Sequence, residues 1–320
     1  MEKTIVSPSP HIHTKASTNS LMGEVVIALI PVVFVSVLFY GWSELLLIAV
    51  GVATCILTEY LIGRFLMHIE GPFCCSAATL TGILLALNLP SSAPWWVAVI
   101  GSIFAIGVVK MTFGGTGQNL FNPAIAGRVF LLISFPAIMT NWTPSPGFIH
   151  ATDAISGATL LGVYNEGGAS AIKELGSSVN MFFDIGGSVG EISIVAILIG
   201  FIYLLARKVI RPHITLSIWA SVALFSLVFW LINPDVYTGP IFNLATGGLM
   251  LGSVFMATDY VTSPMSTLGG CIYGAGIGII TMLIRYFGAY PEGVSFAILI
   301  MNAFVPLINK FCHQKKYGRA

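Results

Sequence analysis

One short stretch of the sequence, residues 153–159, combines residue types that could hold a bulky group covalently. It reads Asp-Ala-Ile-Ser-Gly-Ala-Thr, a run of small residues that ends in a hydroxyl group. Small side chains leave room for a close approach, and neighbouring backbone N–H groups could cradle an anion, so Thr159 could serve as an exposed attachment point. The other interpretation is that Asp153 or Ser156 caps a short helix. These residues alone favour the helix cap.

A second group with chemical potential is the carboxylate of Asp259 and the hydroxyl groups beside it. Thr258, Thr262 and Ser263 lie close to it in the sequence. Hard cations prefer oxygen ligands, and a carboxylate next to apolar segments is costly and often functional. Asp259 and Thr262 are therefore candidates for the path of an ion. A turn-capping role for Asp259 explains the same pattern equally well.

A glycine-rich run at residues 114–117 could be mistaken for a dinucleotide-binding loop. It lacks the final glycine of that motif, and no alternation of strands and helices surrounds it. The run instead predicts a loop that leads into a helix starting at Asn122-Pro123, because proline is favoured in a first helical turn. For the loop, close helix packing and a cofactor or ion site both stay open. Arg128, inside that helix, could face a bound ligand, a carboxylate or the bundle interior.

The polar composition excludes other classes of site. The net charge is +1, so the chain lacks the basic stripe that nucleic-acid binding needs. No CxxC pair and no mixed cluster of cysteine and histidine is present, which predicts buried thiols and no metal site of the chain's own. An iron–sulfur centre shared with a partner chain is the alternative for the five cysteines, Cys55, Cys74, Cys75, Cys271 and Cys312.

The elements that must position these groups are long apolar segments. Hydrophobic residues make up 56% of the 320 residues and charged residues 8%, too few charges to cover the surface of a soluble fold. The composition predicts an all-α polytopic membrane protein. Eight segments are long enough to cross a bilayer, at residues 21–40, 45–62, 95–111, 121–137, 192–206, 214–232, 269–286 and 294–308. Two more are short or glycine-rich and could be thin spans or broken helices, at residues 76–89 and 241–257.

The ten elements divide into two halves of five that share collinear residues. The matches keep an offset of 167 to 170 residues and pair 23–27 with 190–194, 71–73 with 239–241, Gly82 with Gly252 and Pro94 with Pro264. Since five is an odd number, a duplicated half must insert upside down. The sequence therefore predicts two inverted five-helix repeats, an architecture common among transporters. Glu24 and Glu191 open the first helix of each half, where a helix dipole favours an anion, so each is predicted to cap its helix. Glu59, at the inner end of the second predicted helix, is expected to pair with Arg64 or to extend to the membrane surface.

Charge placement predicts the orientation of the chain. With the N-terminus in the cytoplasm, eleven Lys and Arg residues face the cytoplasm, and only Lys173 and Arg285 lie outside. The predicted order is a cytoplasmic tail, a first repeat, an extracytoplasmic loop with the attachment motif, a second repeat and a basic cytoplasmic tail, at residues 1–20, 21–139, 140–189, 190–309 and 310–320.

The attachment stretch looks like the flavinylation motif of membrane subunits that carry FMN on a threonine through a phosphoester. That pattern is Asp, two residues, Ser or Thr, Gly or Ser, Ala, Thr, and Asp153, Ser156, Gly157, Ala158 and Thr159 match every position. Other stretches carry the same resemblance, at residues 9–11, 17–18, 113–124 and 257–264. On these motifs the chain resembles the RnfD subunit of the Rnf ion-translocating electron-transport complex, which is homologous to the NqrB subunit of the sodium-pumping NADH:quinone oxidoreductase.

The resemblance implies a redox subunit of a bacterial or archaeal inner membrane, inactive alone. It implies covalent FMN on Thr159 at the extracytoplasmic face, with a flavin transferase to form the bond and no catalytic side chain beside it. It also implies electron transfer between ferredoxin and NAD, coupled to Na+ or H+ movement. A second FMN-bearing subunit and iron–sulfur subunits would then be partners. The same resemblance also implies a second flavin, riboflavin, bound non-covalently near the cytoplasmic side.

A different class of function fits the architecture as well. An inverted repeat with broken third and eighth elements suits a channel or secondary transporter for a small polar solute such as urea. Thr159 discriminates between the two hypotheses, because only the redox subunit needs a flavin on it.

Overall fold

The computed structural model of the chain describes residues 17–68, 75–142, 159–175, 187–288, 290 and 292–312. Four of the motif residues, Asp153, Ser156, Gly157 and Ala158, lie outside the described residues. The described part is built from α-helices with short π-helical and 3₁₀ turns. The all-α prediction is therefore confirmed for these residues.

Six helices are formed by the described residues before residue 143. They are α1 (Thr18–Tyr40), α2 (Trp42–Leu61), α3 (Cys75–Leu87), α4 (Trp95–Ile103), α5 (Pro123–Ser134) and the short α6 (Pro136–Met139). Helices α2 and α4 continue as π-helical turns, Ile62–Leu66 and Phe104–Met111. The predicted start of α5 is confirmed: the side chain of Asn122 caps it by accepting from the N–H groups of Ala124 and Ile125, and Pro123 occupies the first turn.

Seven helices are formed by the described residues from Thr159 onwards. They are α7 (Leu160–Leu175), α8 (Ile194–Ala206), α9 (His213–Ile232), α10 (Pro240–Ala245), α11 (Leu249–Leu251), α12 (Thr267–Phe287) and α13 (Val294–Phe311). A 3₁₀ turn, Val189–Glu191, precedes α8, and α11 continues as the π-helical turn Gly252–Met256.

In the part of the chain that the structure describes, five helical segments are long and apolar enough to cross a membrane. They are Thr18–Tyr40, Trp42–Leu66, His213–Ile232, Thr267–Phe287 and Val294–Phe311. Four shorter apolar segments accompany them, Cys75–Leu87, Trp95–Met111, Pro123–Ser134 and Ile194–Ala206. These segments coincide with predicted elements. That all ten elements cross the bilayer, and that the halves are inverted repeats, stay predictions.

The two short predicted elements differ in the structure. Helix α3 runs without interruption, whereas the segment at residues 240–256 is broken between α10 and α11. The break needs glycine, because Gly247 and Gly248 adopt φ of 69° and 67°, a left-handed conformation that other residues rarely adopt. The broken-helix alternative is thus correct for this segment alone.

Residues from both predicted halves share one apolar core. It joins residues of α1, α3 and α5 to residues of α8, α9, α12 and α13. Small residues let the helices approach: a Cβ on Gly200 of α8 would lie 2.4 Å from the carbonyl oxygen of Ala28 in α1. A Cβ on Gly274 of α12 would lie 2.7 Å from the carbonyl oxygen of Ile214 in α9. The small residues of the glycine-rich α12 therefore allow it to pack closely against α9.

The described cysteines do not share one environment. Cys55 is fully buried, as predicted for a small apolar side chain. Cys75, at the start of α3, is exposed, so the prediction of a buried thiol is wrong there. Cys271 and Cys312 are partly buried.

Candidate functional site

Thr159 stands immediately before α7 and caps that helix. Its Oγ1 accepts a hydrogen bond from the N–H of Gly162 (3.0 Å), and its carbonyl accepts from the N–H of Val163 (2.9 Å). The residue is 5% exposed. The expectation of an exposed threonine is therefore wrong in this structure.

The position of Thr159 suits a negatively charged substituent in spite of this burial. The first N–H groups of a helix lack intrahelical partners and form the positive end of its dipole, which is where phosphate groups bind in many proteins. An esterified Oγ1 keeps lone pairs, so it could still accept from the N–H of Gly162. The local geometry is compatible with a phosphoester at this oxygen.

Helix α7 is docked on the second half of the chain by aromatic and aliphatic contacts. Leu161 and Tyr164 are buried with Phe242 of α10. The ring centroid of Tyr164 lies 6.3 Å from that of Phe242 and 6.2 Å from that of Tyr286 in α12. Burial raises the pKa of Tyr164 above its usual value, so its phenol stays neutral. These contacts fix the position of the helix that Thr159 caps.

Arg285 of α12 closes the break between α10 and α11. Its Nη1 donates to the carbonyl of Asn243 (2.6 Å), and its Nη2 donates to the carbonyls of Thr246 (2.7 Å) and Gly247 (3.3 Å). A broken helix leaves such carbonyls without partners, and in a membrane each must find one within the protein. The residue is 1% exposed. The predicted side of the membrane for Arg285 stays a prediction, but its side chain is buried in the protein, and its place inside an apolar helix is the signal for such a role.

Contacts at Gly247 join α7 to this break. A Cβ on Gly247 would lie 2.3 Å from Cδ1 of Leu161 and 2.6 Å from Nη2 of Arg285. Thr159 is thus two residues from a side chain packed directly against the broken element.

Arg128 faces a carboxylate, which decides among the alternatives that its sequence position left open. It forms an ion pair with Glu292. Its Nη1 donates to Oδ1 of Asn88 (2.8 Å) and to Oγ of Ser295 (3.1 Å). The guanidinium is buried, with the residue 6% exposed. Arg128 therefore ties α5 to the end of α3 and to the start of α13.

Neither glutamate predicted to cap a helix does so. Ser17 caps α1, and Ser193 caps α8. Glu24 pairs with Arg207 at the end of α8. Glu191 accepts a hydrogen bond from Ser188 and lies beside the backbone of Gly248.

The ion-path candidates lie together at the other end of the bundle, where α1 begins. Oγ1 of Thr262 donates to Oδ2 of Asp259 (3.1 Å), and the N–H groups of Tyr260 and Val261 also bond this carboxylate. Burial raises the pKa of Asp259 above its usual value. These local bonds support the turn-capping role. Asp259 also lines a small cavity, which is compatible with the ion-path role.

That cavity, the inner cavity, has a volume of about 50 Å³, and its walls are mostly apolar with a few polar groups. Lys110, Thr116, Asn119 and Asn122 line it together with Asp259. Such a volume holds a few water molecules or a small ion. Ligand pockets span roughly 300–1,000 Å³, so riboflavin does not fit here while the side chains keep these positions.

A buried ion pair beside the inner cavity joins two residues that are distant in the sequence. Nζ of Lys110 lies 2.8 Å from Oε2 of Glu59, and both side chains are less than one-tenth exposed. The expectation that Glu59 pairs with Arg64 or reaches the membrane surface is wrong. The signal for this pair was a lysine inside a predicted span.

Comparison with known proteins adds an independent line of evidence. The model of the NQR2, RnfD, RnfE family matches residues 5–318. The D subunit of the Na+-translocating ferredoxin:NAD+ oxidoreductase complex of Acetobacterium woodii is 42% identical over 318 residues, covering 98% of this chain and 95% of that protein. The D subunit of the ion-translocating oxidoreductase complex of Stutzerimonas stutzeri is 39% identical over 95% of this chain and 93% of its own length. The same-named protein of Escherichia coli O7:K1 is 36% identical, with 98% of both chains covered.

Proposed function

The chain belongs to the NQR2, RnfD, RnfE family, and from this premise we propose that it is the flavin-carrying RnfD-type subunit of an ion-translocating oxidoreductase complex. It is a multi-pass membrane protein, with five clear candidate spans among its described residues. It acts as a redox subunit within the complex and not alone. The relative from A. woodii is named for ferredoxin:NAD+ chemistry coupled to Na+, and we assign the same class of reaction, coupled to Na+ or H+, to the complex of this chain.

The flavin proposal rests on Thr159. Its Oγ1 sits at the N-terminus of α7 with the N–H of Gly162 directed at it, and the motif that ends at this residue matches the flavinylation pattern at every position. FMN joined here through its phosphate would supply one- or two-electron transfer. The threonine is an anchor and needs no general base beside it, because a separate flavin transferase would form the bond.

The other residues of this end hold the anchor in place. Leu161 and Tyr164 pack α7 against α10 and α12, and Arg285 holds the broken element on which they rest. Preorganised groups keep a cofactor in one geometry without reordering at each electron transfer. We assign α7 and Arg285 this positioning role.

In-gel flavin fluorescence after denaturing electrophoresis tests the attachment directly, in cells that co-express the flavin transferase. We expect a fluorescent band for the wild type, none for Thr159→Ala, and a band for Thr159→Ser, which keeps a hydroxyl. Thr140→Ala is the matched control, since Thr140 is an exposed threonine whose hydroxyl bonds only its own helix. A fluorescent Thr159→Ala band, or a dark wild-type band, contradicts the proposal.

We also propose that Asp259 and Thr262 belong to the ion path. The support is the place of Asp259 on the inner cavity, whose polar lining also includes the amide side chains of Asn119 and Asn122, since hard cations prefer oxygen ligands. Asp259→Asn should then lower Na+ or H+ uptake by vesicles that contain the complex more than it lowers electron flux. Equal loss of both activities would indicate a structural role in the turn.

The orientation and the partners follow from the same premise. The excess of Lys and Arg in the predicted cytoplasmic loops supports cytoplasmic termini, with Thr159 on the extracytoplasmic side. A reporter that fluoresces only in the cytoplasm, fused after Ala320, checks this arrangement. Sites for ferredoxin, NAD, iron–sulfur centres and a second FMN would lie on other subunits of the complex.

The alternative, a channel or transporter for a solute such as urea, draws less support from the structure. Transport sites often use the free carbonyls of a broken helix. Here the guanidinium of Arg285 already bonds the carbonyls of Asn243, Thr246 and Gly247. Urea uptake by vesicles with the subunit alone would favour the alternative.

A further inference from the structure

A second, larger cleft lies at the same end of the bundle as the inner cavity, between two connections. One is the link from α8 to α9, residues 207–212, and the other is the link that precedes α12, residues 257–266. Its volume is about 420 Å³, which lies within the range of ligand pockets. Tyr260 joins the two connections by donating from its hydroxyl to the carbonyl of Val209. We call this cleft the basic cleft.

The charged and titratable groups that line the basic cleft are basic, apart from the phenol of Tyr260. Lys208, Arg211 and His213 come from the first connection and the start of α9, and no Asp or Glu belongs to the described lining. Neither Lys208 nor Arg211 forms an ion pair with any described residue. Arg207, next in the chain, is already neutralised by Glu24. The two exposed cations therefore remain available to an anion.

The remaining walls combine hydroxyl groups with apolar side chains. Thr258 and Ser263 supply the hydroxyls. Pro264, Ile214 and Met265 supply apolar surface, and Met265 is 75% exposed. A charged rim above an apolar wall suits a ligand that is itself amphipathic. A small hydrophilic anion would leave the apolar wall unmatched.

We propose that the basic cleft binds the phosphate head group of an anionic phospholipid, with Lys208 and Arg211 on the phosphate and Met265 against the acyl region. Arginine and lysine form strong charge-assisted hydrogen bonds with phosphate oxygens, and basic pockets between membrane helices recognise such head groups. The site is separate from the flavin anchor, because Thr159 lies beside the broken element at the far end of the bundle. Soluble phosphate shares the recognition chemistry, so the experiment must distinguish the two sources.

The test uses the purified complex, stripped of lipid in detergent, and follows its thermal unfolding during titration with phosphatidylglycerol, phosphatidylcholine or inorganic phosphate. Binding to the native state raises the unfolding temperature in a concentration-dependent way. We expect phosphatidylglycerol to raise it, and equal concentrations of phosphatidylcholine or inorganic phosphate to have little effect. In the double variant Lys208→Gln, Arg211→Gln, the apparent affinity for phosphatidylglycerol should fall at least about tenfold.

Two further variants test whether a loss of affinity arises from the overall charge of the protein or from misfolding. Arg64→Gln with Lys310→Gln is the matched control, because both side chains are exposed basic groups outside the basic cleft. It should keep the wild-type affinity. Lys208→Arg with Arg211→Lys keeps both charges and should retain binding, which separates loss of charge from misfolding.

Four outcomes would overturn the proposal. An equal effect of phosphatidylcholine would show that head-group charge is irrelevant. An equal effect of inorganic phosphate would assign the cleft to a soluble ligand. An equal loss in the control variant would reduce the effect to overall charge. Absence of any phosphatidylglycerol effect in the wild-type complex would point to a neighbouring protein of the complex seated in the cleft.

Discussion

Glu24 and Glu191 match each other in the two halves of the sequence, yet the structure places them in opposite surroundings. Glu24 is partly exposed and accepts hydrogen bonds from Tyr203 (2.6 Å) and Arg207 at the rim of the bundle. Glu191 is 4% exposed. It lies beside Gly248, and the side chain of Arg128 lies near the same glycine. The same residue type thus belongs to a solvated ion pair at one end and to a buried polar network at the other.

The difference shows where charge matters for this fold. Water and salt weaken the attraction between exposed charges, whereas the low dielectric of a buried site strengthens it and makes any unpaired group costly. The buried end combines Arg128, Glu191, Arg285 and Glu292 with a broken helix. We therefore expect that substitutions at the buried end destabilise the protein more than substitutions at the rim do.

The largest effect should follow Arg285→Met. The substitution removes the donors of three buried carbonyls in the break, and each buried acceptor left without a partner costs about 1–3 kcal/mol. We expect a loss of about 4 kcal/mol or more, measured as a large drop in the thermal unfolding temperature of the purified complex. Flavin fluorescence per molecule should also fall, since Arg285 contacts the same glycine as Leu161 of α7. Arg207→Met is the matched control, and an equal drop in both variants would break the comparison.

The next largest effect should follow removal of one partner of the Arg128–Glu292 pair. Breaking a buried ion pair leaves an uncompensated charge and typically costs about 3–5 kcal/mol. Arg128→Gln and Glu292→Gln should each destabilise the complex, while the double variant should cost clearly less than the sum. This double-mutant cycle isolates the coupling between the two side chains. Additive effects would show that Arg128 is held chiefly by Asn88 and Ser295.

A smaller effect is expected for Gly247→Ala. The left-handed backbone at Gly247 and the 2.3 Å approach of Leu161 to an added Cβ both oppose a side chain there. Strained positions of this kind cost about 1–3 kcal/mol. Gly239→Ala provides the control, since an added Cβ there has no heavy atom within 4 Å. Unchanged stability in Gly247→Ala would mean that the break can reorganise freely.

The smallest effect is expected for Glu24→Gln at the rim. Its partner Arg207 is largely exposed, so the pair contributes little. The unfolding temperature should stay within experimental error of the wild type at moderate salt. A drop comparable to that of Glu292→Gln would overturn the contrast between the two ends.

Much of the fold could be predicted from the sequence because helix formation in a membrane depends on local properties. Apolar length located the helices, and Asn122-Pro123 marked the start of α5. For the segment at 241–257, the sequence left a thin span and a broken helix open. The candidate site was predicted less completely. The motif identified Thr159 as the attachment candidate, but its role as the cap of α7 and its burial were not apparent from the residues.

Pairing between distant groups could not be predicted in the same way. Glu59 was matched with the nearby Arg64, whereas its partner is Lys110, on the helical segment that continues α4. The sequence likewise indicated no partner for Arg285, whose guanidinium closes a break in another helix. Both partners were missed for one reason: sequence distance indicates which charges are neighbours along a helix, but not which helix faces them.

The sequence by itself determined the class of this protein, an all-α membrane chain of the NQR2, RnfD, RnfE family, and the positions of its helices. It also supplied the attachment motif that ends at Thr159. Only the tertiary structure decided which charges are buried and what they bond: Glu191 and Arg285 inside, Glu24 at the rim. The physical reason is that apolar length and turn residues act within one element. The contribution of a charged side chain to stability depends instead on the local dielectric and on the partners that other elements place beside it.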